Sequence, residues 1–322
     1  MGGGLWGTVL ADHLARRGNP VTVWEFFPEL ARAMEESRKH AHIPKWELHE
    51  RVRVTSDVGT AVRGARVVLV ALPSTHVRKT LRGLARMWEP GSRKPLIVTA
   101  SKGVEPDTLK TMAEVIEEEV PALAGRVYAL SGPSFAREVA RGVATKVMIA
   151  GPSLATAREL QRIFNGGAVR VEVTTDRRGV ELGGTLKNVL AVGCGMLDGM
   201  KAGFNTKAAL LTEGMSEMGR LIRARGGKAE TVYGLAGLGD LILTGTSSES
   251  RNRSLGEKLG AGKTLAAAMR EIPTVMEGVE SAKSAYQMIK AEGVKAPVLL
   301  AIWSVLHRGK SSGQLLKALG FD

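Results

Sequence analysis

The chain opens Met1-Gly2-Gly3-Gly4-Leu5-Trp6-Gly7, and a helix-prone run over residues 8–17 follows at once. Gly2, Gly4 and Gly7 hold the spacing G-x-G-x-x-G. In a dinucleotide-binding unit the first glycine makes a tight turn, the second lets the backbone approach a pyrophosphate, and the third lets the helix pack on the sheet. The bare N–H groups and the positive end of the helix then hold the phosphates. A strand should lead into such a turn, yet only Met1 precedes it. The expectation is a cofactor site whose first strand is missing from the sequence. In the usual order 3-2-1-4-5-6 that strand lies in mid-sheet, so its neighbours would face each other across a gap with unpaired backbone groups.

Residues 20–24 form a short β-branched strand ending on Glu25, 18 positions after Gly7. A carboxylate there accepts from a ribose 2′-hydroxyl. Apolar strands at 66–72, 96–100, 127–130, 147–150 and 169–174 alternate with helical segments at 75–87 and 108–120, the pattern of a parallel α/β sheet. After residue 178 the β signal nearly stops. Helices are expected at 180–200, 207–225, 254–259, 265–270, 279–291 and 297–307, with Leu186, Leu190 and Leu197 at near-helical spacing. The fold class is thus an α/β Rossmann-like dinucleotide-binding domain over 1–178 and an all-α domain over 179–322.

Bulk composition narrows the function. The 322 residues are 44% hydrophobic, suited to a globular protein with a large core. Apolar runs are too short to span a bilayer, so no membrane insertion is expected. A lone cysteine, Cys194 in an apolar stretch, excludes an internal disulfide framework and points to a cytoplasmic location. The six histidines lack ligand spacing, so no metal site is expected. A net charge of +13 invites thoughts of nucleic acid, but the basic residues are dispersed and only 4% of residues are aromatic. Nucleic-acid binding is not expected. Positive potential that draws in an anionic cofactor and substrate fits better.

Several polar groups sit where chemistry is done. Ser74 follows a strand and reads as a helix cap. Lys102, in Ser101-Lys102-Gly103, follows the next strand at the same sheet edge. Gly132 and Ser134 follow another and open a helix, with Ser134 able to cap it or bond a ligand. Lys187 and Asn188 stand inside an apolar helix, where lysine is seldom buried without a reason. The glycine-rich loop 234–240 ends in Asp240. Ser250-Arg251-Asn252-Arg253 enters a helix, pairing an arginine fork with bare N–H groups suited to phosphate.

Taken in order, Gly2–Gly7, Ser101–Gly103, Gly132–Ala136, Leu186–Val189, Gly234–Asp240, Ser250–Arg253 and Val275–Gly278 resemble the bacterial-type NAD(P)-dependent glycerol-3-phosphate dehydrogenases over essentially the whole chain. The resemblance implies reversible reduction of dihydroxyacetone phosphate to sn-glycerol 3-phosphate, feeding glycerophospholipid synthesis, in a homodimer. It implies Lys187 as proton acceptor in the oxidative direction. Lys102, Gly132, Ser134, Asp240, Ser250, Arg251 and Asn252 would surround a small phosphorylated three-carbon substrate. Leu5, Trp6, Lys102, Ala136, Arg251, Val275 and Glu277 would contact the cofactor beside Gly2, Gly4, Gly7 and Glu25. Family members commonly carry an arginine just after the second strand, favouring the NADP 2′-phosphate. Phe26 stands there instead, so NAD(H) is expected over NADP(H). The alternatives are another two-domain β-hydroxyacid-type dehydrogenase, or a catalytically silent nucleotide-binding protein.

Overall fold

A computed structural model describes residues 1–88, 94–272 and 276–321. The chain folds as two compact units, Met1–Ser101 with Met112–Arg177, and Lys102–Thr111 with Arg178–Asp322. The single cut expected at residue 178 is therefore joined by two more, after Ser101 and after Thr111, because the segment carrying Lys102 groups with the helical unit.

The first unit runs α1 (Leu5–Arg16), β1 (Val21–Trp24), α2 (Pro28–Ser37), β2 (Lys39–His40), β3 (Ile43–Glu47), β4 (Val52–Thr55), α3 (Val58–Val62), β5 (Val67–Val70), α4 (Ser74–Leu84), β6 (Leu96–Thr99), α5 (Met112–Glu119), β7 (Val127–Ser131), α6 (Ala136–Ala140), β8 (Thr145–Ala150), α7 (Leu154–Phe164) and β9 (Val169–Thr174). The main sheet has the order β5-β6-β7-β8-β9. It is parallel except where β7 meets β8 antiparallel, Ala129 opposite Ala150. Both faces are apolar because helices cover both. Successive residues of β6 go to opposite sides: Val98 packs with Val9, Leu10 and Phe164, while Ile97 packs with Leu81 and Ile116. Such a strand reads as a continuous apolar run, which is why it is legible in the sequence.

β1 and β4 form a separate parallel pair, and β2 and β3 a short hairpin. The sheet is therefore split where the sequence implied a gap. A slot of about 560 Å³ lies between β1 and β5, lined by residues of both strands with Ala11 and Leu14 of α1 and Phe164 of α7. The hairpin and β4 were not expected. In the hairpin's Ile43–Glu47 strand only Ile43 and Trp46 are half-buried, the rest are exposed and one of these is Pro44, so no apolar run announces it.

The second unit is helical: α8 (Arg177–Gly199), α9 (Gly203–Ala224), α10 (Asp240–Thr246), α11 (Arg251–Gly260), α12 (Leu265–Arg270), α13 (Glu277–Glu292), α14 (Pro297–Arg308) and α15 (Gly313–Ala318). α8 is buried on every side from Gly179 to Leu197, as a central helix must be when it is apolar all round. Leu186, Leu190, Leu197, Met215, Met218 and Ile222 share its core with Cys194. Burial pushes the Cys194 thiol up to about 12, so it is a packing residue. The helices α10 and α15 were not expected. The stretch 234–240, read as a loop, instead winds through a wide turn into α10.

Two of these helices touch backbone to backbone. A Cβ on Gly195 would lie 1.9 Å from the Arg253 carbonyl oxygen, and one on Gly256 1.9 Å from that of Val192. Glycine at these positions lets α11 lie directly against α8. That contact fixes where residues 250–253 stand relative to Lys187.

Candidate active site

In the first unit the glycine turn is built as a phosphate cradle. Gly2 has φ +102°, and a Cβ there would lie 2.5 Å from the Ala71 carbonyl oxygen. Gly7 allows equally close approach to the Gly2 carbonyl, while a Cβ on Gly4 would meet nothing within 4 Å. Space is therefore left open at the position where a pyrophosphate needs it. The N-terminus of α1 carries no side-chain cap and no acidic residue in its first turn. Its donors remain available to an anion. Thr8 and the buried His40 ring both bond the Gly3 carbonyl, at 3.0 and 3.2 Å, and hold the turn. These features fit a dinucleotide.

Glu25 directly follows β1 and is almost fully buried, and its carboxylate accepts from the Phe27 N–H at 3.1 Å. A Cβ on Gly3 would collide with that carboxylate at 2.3 Å, so Glu25 lies directly against the glycine turn. Phe26 beside it is 67% exposed and brings no charge. Leu5, Trp6 and Ala136 pack on the same apolar cluster. Gly132 takes φ +135°, and the Ser134 hydroxyl donates to its carbonyl at 3.0 Å. Ser134 caps no helix, since α6 begins after Phe135 without a side-chain cap. Ser74 is likewise the first residue of α4, not its cap.

In the second unit the chemistry-bearing residues converge. Lys187 on α8 is 5% exposed. Its Nζ donates to Asp240 Oδ1 at 3.0 Å and to the Thr244 hydroxyl at 2.7 Å. The other carboxylate oxygen of Asp240 receives Lys102 Nζ at 2.6 Å. Asp240 is buried and bridges two ammonium groups, while Thr244 turns back to donate to the Asp240 carbonyl at 2.6 Å. Burial pulls the Lys187 ammonium below the ordinary lysine range; Asp240 pushes back, and the Lys102 charge pulls the same way as burial. Burial would raise the Asp240 carboxyl, but Lys102 and Lys187 outweigh it and hold the group ionised.

A second chain of bonds runs beside the first. Asn252 Nδ2 donates to Asn188 Oδ1 at 2.9 Å, Asn188 Nδ2 to Glu277 Oε2 at 3.2 Å, and the Gly278 N–H to Asn252 Oδ1 at 3.0 Å. The amide of Asn252 is thus engaged at both ends. Ser250 caps α11 by accepting from the Arg253 N–H. Arg253 in turn pairs with Asp198 at 2.7 Å, and Lys207 pairs with the same carboxylate. Arg251, first in α11, is exposed and makes no ion pair among the described residues.

Of the residues singled out from sequence, Gly2, Gly4, Leu5, Trp6, Gly7, Glu25, Gly132, Ser134 and Ala136 fall in the first unit. Lys102, Lys187, Asp240, Ser250, Arg251, Asn252 and Glu277 fall in the second. Val275 lies outside the described residues. Thr244 was missed. Its signal was its place four residues after Asp240, which puts both on one helix face, but a sequence read as a loop carries no such periodicity.

Comparison with known proteins gives this arrangement its kin. The family described as NAD-dependent glycerol-3-phosphate dehydrogenase N-terminus matches residues 1–157, and its C-terminus counterpart matches 176–317. The chain belongs to the NAD-dependent glycerol-3-phosphate dehydrogenase family. It is 43% identical over 321 residues to the glycerol-3-phosphate dehydrogenase [NAD(P)+] of Citrifermentans bemidjiense, covering 99% of this chain and 95% of that protein. The enzyme of the same name from Moorella thermoacetica is 41% identical, with 99% and 94% covered. The crystal structure of glycerol-3-phosphate dehydrogenase from Coxiella burnetii superposes with a TM-score of 0.91 at 32% identity, covering 99% and 96% of the two chains. This family is one of nicotinamide-dependent oxidoreductases, and neither alternative drawn from the sequence is favoured beside it. Among the described residues no helix is long and apolar enough to cross a membrane.

Proposed function

We propose that the chain catalyses the reversible NAD(P)H-dependent reduction of dihydroxyacetone phosphate to sn-glycerol 3-phosphate, with NADH preferred. The observation that carries the reading is Lys187, buried on α8 and bonded to Asp240 and Thr244. A bound nicotinamide supplies the hydride that reduces the ketone carbon.

Negative charge then develops on the substrate oxygen. The Lys187 ammonium stabilises that charge and gives up a proton to it, and its neutral amine takes the alcohol proton in reverse. Free lysine, with a pKa of about 10.4, is a poor base near neutrality, and burial moves Lys187 toward its neutral form. Asp240 keeps the amine oriented and checks the downward shift, while Lys102 adds positive charge on the far side of the same carboxylate. Thr244 fixes the Nζ position through its own bond to the Asp240 carbonyl.

Arg251 and the start of α11 anchor the substrate phosphate, with Ser250 at the cap and Gly132 and Ser134 as further substrate contacts. Asn252 acts by holding Asn188, since its amide is already engaged. Gly2, Gly4, Leu5, Trp6, Gly7 and Ala136 bind the cofactor, with Lys102, Arg251 and Glu277 as further contacts. Glu25 accepts from the adenosine ribose and repels a 2′-phosphate, and Phe26 supplies no compensating cation; this supports the NADH preference. A homodimer and a cytoplasmic location are read from the family resemblance and from the single, reduced cysteine. The test is NADH oxidation with dihydroxyacetone phosphate, unphosphorylated dihydroxyacetone and a panel of 2-oxoacids. Turnover confined to dihydroxyacetone phosphate supports the reading; preference for a 2-oxoacid refutes it.

A further inference from the structure

The first turn of α11 is tied to α8 at two separate places. Asn252 reaches Asn188, and Arg253 Nε donates to Asp198 Oδ2 at 2.7 Å. These two partners lie about 15 Å apart along the axis of α8, at ~1.5 Å per residue. Neighbouring side chains of α11 thus pull in opposite directions along α8. The glycine contacts at Gly195 and Gly256 hold the two backbones together between them. One tie would leave a short helix free to pivot; two fix both its axis and its rotation.

Asp198 is itself held. It stands in the last turn of α8, where a carboxylate opposes the helix dipole. Lys207, near the start of α9, pairs with its other oxygen, so two cations offset that cost. Lys207 is buried, and the side chains of Arg253 and Asp198 are only 17% and 19% exposed. An ion pair shielded in this way is screened far less than a surface pair. Arg253 Nη1 also lies 3.6 Å from Glu257 one turn on, so the planar guanidinium is held at two edges.

Arg251 sits among these ties. Ser250 caps the helix through the Arg253 N–H at 3.2 Å, and Asn252 follows. The Arg251 backbone is therefore fixed, and the rotation of the first turn sets the direction of its side chain. Successive side chains of a helix diverge by about 100°. Turning Asn252 and Arg253 onto α8 therefore leaves Arg251 off that contact and exposed.

We propose that Arg253 is a positioning residue for phosphate recognition. Held by Asp198, it fixes the rotation of α11 that aims Arg251, and it touches neither substrate nor cofactor. This role presupposes Arg251 as the phosphate anchor.

The test is steady-state kinetics on Arg253→Gln, alone and combined with Arg251→Ala. Arg253→Gln leaves Asp198 paired with Lys207, so no shielded carboxylate is stranded and the variant is expected to fold. KM for dihydroxyacetone phosphate should rise about tenfold, with Kd for NADH and kcat/KM on unphosphorylated dihydroxyacetone unchanged. Arg253→Lys still reaches Asp198 with one donor and should recover part of the loss. In the Arg251→Ala background the Arg253→Gln change should add less than about twofold, because no guanidinium is left to aim. A merely structural Arg253 would lower Tm and lower turnover on both substrates alike, and that result overturns the proposal. So does a tenfold effect that persists beside Arg251→Ala, which would make Arg253 a phosphate ligand in its own right. If Arg251→Ala raises KM and Arg253→Gln does not, the positioning role fails alone. If Arg251→Ala leaves KM unchanged, the phosphate role of Arg251 fails and takes this one with it. Should Arg253→Gln prove unfolded, Arg253→Lys carries the same comparison, with a smaller rise in KM that again vanishes beside Arg251→Ala.

Discussion

Lys187 Nζ and Asp240 Oδ1 lie 3.0 Å apart in the buried centre of the helical unit, and the second oxygen of Asp240 is held by Lys102. One carboxylate therefore governs how readily Lys187 releases its proton. Burial and Lys102 favour the neutral amine, and Asp240 opposes them.

Replacing Asp240 with Asn removes the opposing charge. The Lys187 pKa is already lowered, and it falls further in Asp240→Asn. A group that acts as base when neutral then works at lower pH. The alkaline rise in kcat/KM for glycerol 3-phosphate oxidation is expected to move to lower pH, while reduction weakens because the ammonium is less populated. The pH profiles of both directions measure this. A move of the oxidative limb to higher pH would mean that Asp240 does not act through Lys187.

Arg251 stands exposed at the first position of α11 beside the Ser250 cap. Arg251→Ala should raise KM for dihydroxyacetone phosphate and lower kcat, since an anchored phosphate also orients the carbonyl. Activity on unphosphorylated dihydroxyacetone should change far less. Steady-state kinetics on the two substrates separate the cases, and equal losses on both would remove Arg251 from phosphate recognition.

The contact between α8 and α11 gives a prediction about packing. Gly195→Ala places a methyl 1.9 Å from the Arg253 carbonyl oxygen, and backbone cannot yield as a flexible side chain would. Overpacking of this kind costs about 1–3 kcal/mol or more. Tm should fall by several degrees and KM for the phosphorylated substrate should rise, because α11 carries Arg251. An unchanged melt and KM would show that the two helices part freely.

Much of the fold is legible in the amino-acid sequence. Buried strands announce themselves as apolar runs, so β5, β6, β7 and β9 lie close to where those runs place them. Lys187 stands out because its neighbours Leu186, Val189 and Leu190 are all core residues. What the sequence hides has physical reasons. The antiparallel pairing of β8 with β7 leaves no mark, since buried Val147 and Ile149 read like those of any other covered strand. The grouping of Lys102 with the helical unit depends on long-range packing, such as the Ser284 hydroxyl bonding the Val104 carbonyl at 2.7 Å. The full engagement of the Asn252 amide depends on Asn188 and Gly278, which lie 64 and 26 positions away.

Cofactor choice follows from Glu25 lying against the glycine turn with Phe26 exposed beside it. NADH should exceed NADPH in kcat/KM. The double change Glu25→Ser with Phe26→Arg should reverse the preference by removing a like charge and adding a cation that pairs with phosphate. Measuring both cofactors on both proteins decides it, and a wild-type preference for NADPH would contradict the assignment.

The most direct test of the account is Lys187→Ala, assayed for NADH oxidation with dihydroxyacetone phosphate alongside NADH titration. Loss of a general acid/base is expected to lower kcat on the order of a hundredfold or more, with NADH affinity nearly unchanged. A variant that binds NADH normally and keeps most of the wild-type rate would contradict the central claim that the buried Lys187 carries the proton.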